Sequence, residues 1–238
     1  MAAMTLGIFL AGIFAPALFW TGYFYYKDRF QPEPLVKFGT AYLLGIASAG
    51  VCLGAYALLP IIGIPQDPSA LMEAGGLRSL LYGVGVTGFL EESVKLLPFV
   101  MVVDRFRCFD ERTDGIIYAS AIALGFASFE NFRFLSVLQG WELYGRAIAS
   151  PLTHAAFASL WGYPIGLARI RGKSIAGGLV GGLAVAALAH GLFNFLTVSP
   201  KLRLGAALLV LCIWVWLIRT LEKFDRAGKG EKTGVGPE

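Results

Sequence analysis

Long apolar runs alternate with short polar breaks along almost the whole chain. Runs of roughly 18 or more apolar residues mark helices that span a bilayer. Reading between charged or Pro/Gly-rich breaks predicts seven of them, at about 4–26, 38–62, 77–103, 114–135, 147–168, 174–197 and 203–221. The breaks are KDRFQPEPLVK, IPQDPSALMEAGG, DRFRCFDERT, SVLQGWELYGR, RIRGK and SPKLR. The predicted fold is an all-α polytopic membrane helix bundle over residues 1–221, with a polar tail over 222–238 expected to be disordered. No soluble domain is left over, and no long repeat is evident.

Composition agrees. Of 238 residues, 56% are hydrophobic and 15% charged, with a mean hydropathy of +0.66. Soluble domains carry about 25% charged residues, so the charges here are too few to cover a water-facing surface. Ala15-Pro16-Ala17 resembles a cleavage site, but no positive segment precedes it and the apolar run continues to Tyr26, so a retained first span is expected. Lys and Arg set the orientation. Fourteen fall in the tail and the loops after the first, third and fifth helices, against five on the other side. That bias puts the N-terminus outside and the C-terminus in the cytoplasm. The net charge of +4 is spread over short loops, so it suits anionic lipid headgroups and suggests no nucleic-acid partner. Cys52, Cys108 and Cys212 form no disulfide or CxxC pattern and are expected to be bystanders.

A few ionisable groups interrupt the predicted spans. GFLEESVKLLPF places Glu91, Glu92 and Lys95 on the third helix. Glu130 is on the fourth, His154 on the fifth, and His190 with Asn194 on the sixth. A charge in mid-span costs roughly 2.5–3.5 kcal/mol, so these groups are expected to face inward and to pair. Helical spacing places Glu91, Glu92 and Lys95 on one face and His190 one turn from Asn194. Gly178, Gly182 and Ala186 continue the His190 stripe in steps of four, which predicts a close helix–helix contact there. At 1.5 Å per residue, Glu130 and His190 lie about 24 Å above the cytoplasmic end, and Glu91 and His154 about 20 Å above it. All share one layer in the outer half of the bilayer.

Residues alone leave three readings of that layer: a structural ion-pair cluster, a proton-coupled transporter, or a hydrolytic site in which Glu is a general base and His and Asn stabilise an oxyanion. There is no HExxH, no buried Asp pair and no GxSG, and Ser93 and Ser159 are expected to be packing hydroxyls. The five tryptophans are expected to be interfacial anchors or packing groups.

Over nearly the whole chain the sequence resembles the PrsW family of intramembrane proteases. The resemblance rests on DRFQPEP after the first helix, on EExxK at Glu91-Glu92-x-x-Lys95, and on DGIIYASAIALGFASFEN with Phe126 and Glu130. It extends to HAAFASLWGYPIG from His154 and to HGLFN from His190 to Asn194. The related CAAX prenyl endopeptidase and bacteriocin-processing group differs, because Glu130 stands here where that group has a His. Processing of that type is the runner-up. The resemblance implies an endopeptidase in the cell membrane that acts on single-pass membrane proteins such as anti-sigma factors, cut near the outer side of the span. It does not identify the substrate or the oligomeric state.

Two mechanisms fit the seven site residues Glu91, Glu92, Lys95, Glu130, His154, His190 and Asn194. In the first, Glu91 is the general base, His190 and Asn194 hold the oxyanion, and Glu130 and His154 orient water or protonate the leaving amine. In the second, Glu130, His154 and His190 bind one zinc-like divalent ion and a glutamate of the EExxK pair is the base. No local spacing supports that ligand set, so the metal-free version is preferred.

Overall fold

A computed structural model describes residues 6–29, 31–66, 76–135, 140–198 and 200–233, and regular structure among them is entirely helical. The first helix, α1, spans Leu6–Lys27, and α2 spans Leu35–Leu58 with a 3₁₀ turn, Leu59–Ile62, at its end. Pro34 starts α2: its fixed φ suits the position, and its carbonyl accepts the N–H groups of Lys37 and Phe38. Gly63, with φ of 75°, ends the 3₁₀ turn in the left-handed region that favours glycine. Next, α3 (Gly76–Tyr82) runs through a π-helical segment, Gly83–Gly88, into α4 (Phe89–Met101). The remaining helices are α5 (Asp114–Leu135), α6 (Gly140–Ile170), α7 (Ala176–Val198) and α8 (Arg203–Thr233).

Two segments depart from the sequence expectation. Helix α6 starts at Gly140, inside a segment assigned to a loop, and α8 runs through Glu222 to Thr233. Both expected breaks fall at polar residues. Polarity alone does not stop a helix; a proline or a left-handed glycine does.

Four helical stretches among the described residues are long and apolar enough to cross a membrane: Leu35–Ile62, Asp114–Phe134, Ala176–Val198 and Arg203–Phe224. The chain is a multi-pass membrane protein. Helix α5 is the central one. In its most apolar window 83% of the residues are buried, against 22–33% in the other three. It is apolar or small on every side, as a helix surrounded by others must be. Helices α2, α7 and α8 instead expose Leu43, Val51, Val185, Leu188, Leu208 and Leu211. Such surfaces would be anomalous in water and are ordinary against lipid tails.

Small residues allow the close crossings. A Cβ at Gly115 would strike the Gly162 carbonyl where α5 crosses α6, and one at Gly125 would strike the Tyr42 carbonyl where α5 crosses α2. On α7, Gly178 and Gly182 pack on the α6 backbone at Ile165 and Trp161, as the stripe predicted. Gly191 lies against the backbone of Gly83 and Val84 in the π-helical segment, and Gly88 lies against the Ala187 carbonyl. This contact fixes α7 beside α4 and so sets where His190 meets Glu91 and Glu92.

Replacing Gly191 by Ala should destabilise the bundle by about 1–3 kcal/mol, because the obstructing atoms are backbone that cannot rotate away. Gly177→Ala is the matched control on the same helix, with open space around it. It should be neutral, or stabilising by up to about 1 kcal/mol. Thermal unfolding of the two variants in detergent measures the difference.

Candidate active site

Lys95 is the hub of the buried polar layer. Its side chain is fully buried on α4. Nζ donates to Glu92 Oε1 at 2.8 Å and to His154 Nδ1 at 2.8 Å. It also lies 4.0 Å from Glu91 Oε2 and 4.3 Å from the centre of the Phe126 ring. An ammonium group has no lone pair, so His154 Nδ1 must accept. The proton of His154 is then on Nε2, which donates to Glu130 Oε2 at 2.7 Å. Arg146 Nη2 holds the other oxygen of Glu130 at 2.9 Å.

Glu92 is saturated. Its Oε1 takes Lys95 and also His190 Nδ1 at 2.9 Å, while its Oε2 accepts the Trp161 Nε1–H at 3.0 Å. With Nδ1 donating to this carboxylate, a neutral His190 turns the lone pair of Nε2 towards Glu91, whose Oε2 is 3.7 Å away. Tyr56 donates its hydroxyl to Glu91 Oε1 at 3.2 Å. The second oxygen, Glu91 Oε2, is buried and has no hydrogen-bond partner. Phe157 stacks on the His190 ring with centroids 4.9 Å apart, and the two histidine rings meet edge to face at 5.3 Å. The layer is fully enclosed around Lys95 and Glu92, whereas the side chains of Glu130 and Arg146 are 19% and 28% exposed. It therefore opens at the Glu130 end.

Six of the seven residues singled out in the sequence meet in this network. Asn194 does not: it is half-buried one turn beyond His190, and no hydrogen bond among the described residues joins its side chain to the cluster. The metal-ligand expectation also changes. The donor atoms that converge within 4.8 Å of one another belong to Glu91, His154 and His190. Glu130 lies outside this set, because it sits behind His154 and is tied to Arg146. The unpartnered Glu91 Oε2 and the open His190 Nε2 suit a divalent ion. So do the carboxylates behind both imidazoles, Glu92 for His190 and Glu130 for His154. This buried Glu/His cluster can coordinate such an ion. An ion and Lys95 would compete for His154 Nδ1.

Three contributors escaped the sequence reading. Trp161, which is completely buried, hydrogen-bonds Glu92. Its spacing of seven from His154 puts it on the same helix face, and that signal was available. Tyr56 and Arg146 carried no such signal, because each reaches the cluster from a helix whose rotation depends on packing.

The family model for PrsW family intramembrane metalloproteases matches residues 42–220. The chain is 31% identical over 190 residues to "Protease PrsW" of Bacillus subtilis (strain 168), covering 79% of this chain and 82% of the relative. For the protein of that name from Oceanobacillus iheyensis the values are 32% over 192 residues, 80% and 83%. For the Clostridioides difficile (strain 630) protein they are 30% over 233 residues, 94% and 92%. No solved structure matched the chain.

Lys95→Met should cost about 3–5 kcal/mol of stability, because it leaves the buried Glu92 carboxylate without its cation. The double variant Lys95→Met/Glu92→Gln should regain part of that loss. Reversible unfolding of both variants in detergent measures the coupling, and equal stability of the two would contradict the assigned pairing.

Proposed function

The chain belongs to the PrsW family and is a membrane-embedded peptidase, and from that premise we propose that it cuts single-pass membrane proteins through a water activated by Glu91. One observation carries this choice. Glu91 Oε2 is the buried carboxylate oxygen of the EExxK pair left without a hydrogen-bond partner, while both oxygens of Glu92 are occupied. A general base needs a free lone pair within reach of the proton it removes.

Glu91 Oε2 takes the proton from a water held between it and His190 Nε2. Tyr56 fixes the other oxygen and with it the plane of the carboxylate. Glu92 keeps the proton of His190 on Nδ1, so Nε2 faces the reacting centre. Lys95 balances the charge of the two glutamates and needs no reorganisation during the reaction, which is the condition for efficient electrostatic stabilisation. Glu91 then gives the proton taken from water to the leaving amine, and the His154–Glu130 pair, at the open end of the layer, is suited to orient the water. Asn194, one turn past His190, is assigned to the oxyanion. A divalent ion would be held by Glu91, His154 and His190 and would supply Lewis-acid polarisation of a carbonyl, whereas the base role of Glu91 belongs to the metal-free site, where its Oε2 is open.

The substrate class is a membrane-anchored protein with a single span, such as an anti-sigma factor. The charge bias supports seven crossings with the N-terminus outside and the C-terminus cytoplasmic. In that orientation the Glu130 end of α5 is its outer end, which supports cleavage in the outer half of the substrate span.

In proteoliposomes holding a single-pass substrate, Glu91→Gln should lower the cleavage rate at least about 100-fold, with the melting temperature retained. Normal cleavage by this variant would remove Glu91 from the base role, and proton-coupled flux without cleavage by the wild type would favour a transporter. Activity that survives complete chelation would exclude a required metal. Separately, a fluorescent protein fused to the C-terminus should fold and fluoresce in cells, as cytoplasmic fusions do, and an externally accessible fusion would overturn the orientation.

A further inference from the structure

Helix α8 contributes nothing to the membrane-core site, yet one of its faces is patterned. Cys212, Val215, Arg219 and Lys223 follow one another in steps of three or four, which keeps them within about 80° of arc. They line a groove of about 380 Å³ beside α6. Tyr163 of α6 closes its side: its ring meets Trp216 edge to face at 5.7 Å and the Phe224 ring at 6.2 Å.

The groove changes character along its length. Cys212 and Val215 are exposed at its apolar end, and Arg219 and Lys223 are exposed at its charged end. Lys223 stands at the close of the apolar stretch Arg203–Phe224. From Cys212 to Lys223 the helix rises about 16 Å, which matches one leaflet of a hydrocarbon core roughly 30 Å thick. A third exposed cation, Arg112 from the segment before α5, lies 5.7 Å from the centre of the Phe224 ring. Among the described residues, no ion pair joins Arg112, Arg219 or Lys223 to a carboxylate. Glu222, the acid beside them on α8, is turned to α1 and pairs with Lys27 at 3.5 Å. A cleft lined by one sign of charge concentrates the opposite sign. A soluble anion would use only the charged end of this groove, and a neutral lipid only the apolar end. An anionic phospholipid uses both, in this order and over this length.

We infer that the groove binds one anionic phospholipid, with its phosphate at Arg219 and Lys223 and an acyl chain along Val215 and Cys212. Arg112 adds positive charge at the rim. Basic pockets between spanning helices recognise headgroups in this way. The groove lies at the end of the bundle where the positive-charge bias places the cytoplasm, so the lipid comes from the inner leaflet. Bound there, it ties α8 to α6, the helix that carries His154, and takes no part in the peptidase chemistry.

The test uses full-length protein in detergent, washed free of lipid and titrated with phosphatidylglycerol, phosphatidylcholine or inorganic phosphate while its melting temperature is followed. A saturable rise is expected with phosphatidylglycerol alone. Arg219→Gln/Lys223→Gln should need at least about tenfold more of this lipid, because both headgroup contacts are gone. Arg105→Gln/Arg107→Gln removes equal charge at the same end of the bundle but outside the groove, and should respond like the wild type. All four side chains are exposed, so both variants should melt like the wild type without lipid. Native mass spectrometry gives a second readout: one phosphatidylglycerol retained per wild-type chain, and none by the groove variant. The proposal is overturned if the wild type responds by neither readout. Equal stabilisation by phosphatidylcholine would show a lipid shell without headgroup choice, and a rise with inorganic phosphate alone would show a soluble-anion site; either overturns it. So does a groove variant that responds like the wild type, or an equal loss in the Arg105/Arg107 variant.

Discussion

A lysine ammonium buried among lipid-embedded helices is the constraint on which the rest of this structure depends. Alone at that depth it would be among the most expensive groups in the chain. It is tolerated because Glu92, His154 and the Phe126 ring surround it at hydrogen-bonding or cation–π distance. Those partners sit on α4, α6 and α5, so satisfying one charge fixes three helices in register. His190 on α7 joins through Glu92, and α2 joins through Tyr56 and Glu91. Breaking any of these bonds leaves a buried polar group without its partner.

The same network sorts two adjacent glutamates into different jobs. Glu92 is saturated by Lys95, His190 and Trp161, and its charge is structural. Glu91 keeps one oxygen open beside an imidazole nitrogen whose proton has been drawn to the opposite side. A site of this kind is preorganised because its supporting hydrogen bonds are already made before substrate arrives. The backbone contributes as well. The π-helical segment Gly83–Gly88 precedes the two glutamates and accepts the α7 backbone at Gly191, which explains why a glycine-rich, irregular turn stands at this point.

Much of this was legible in the linear sequence. Apolar run length located the helices because a bilayer sets their length and leaves no other way to satisfy the backbone. The expense of charge in lipid singled out Glu91, Glu92, Lys95, Glu130, His154 and His190, and helix rise placed them at one depth. Spacing in steps of four found the Gly178–Gly182–Ala186 stripe. The sequence could not decide which partner each group takes, because pairing depends on how helices are rotated against one another, and that is set by contacts between residues far apart in the chain. For this reason Glu130 moved from expected ligand to the support of His154, and Asn194 stayed apart from the cluster. Trp161 and Arg146 entered the layer, and the open oxygen went to Glu91. Composition and periodicity determined which residues had to be buried together; only tertiary packing determined which atom of which residue was left free to react.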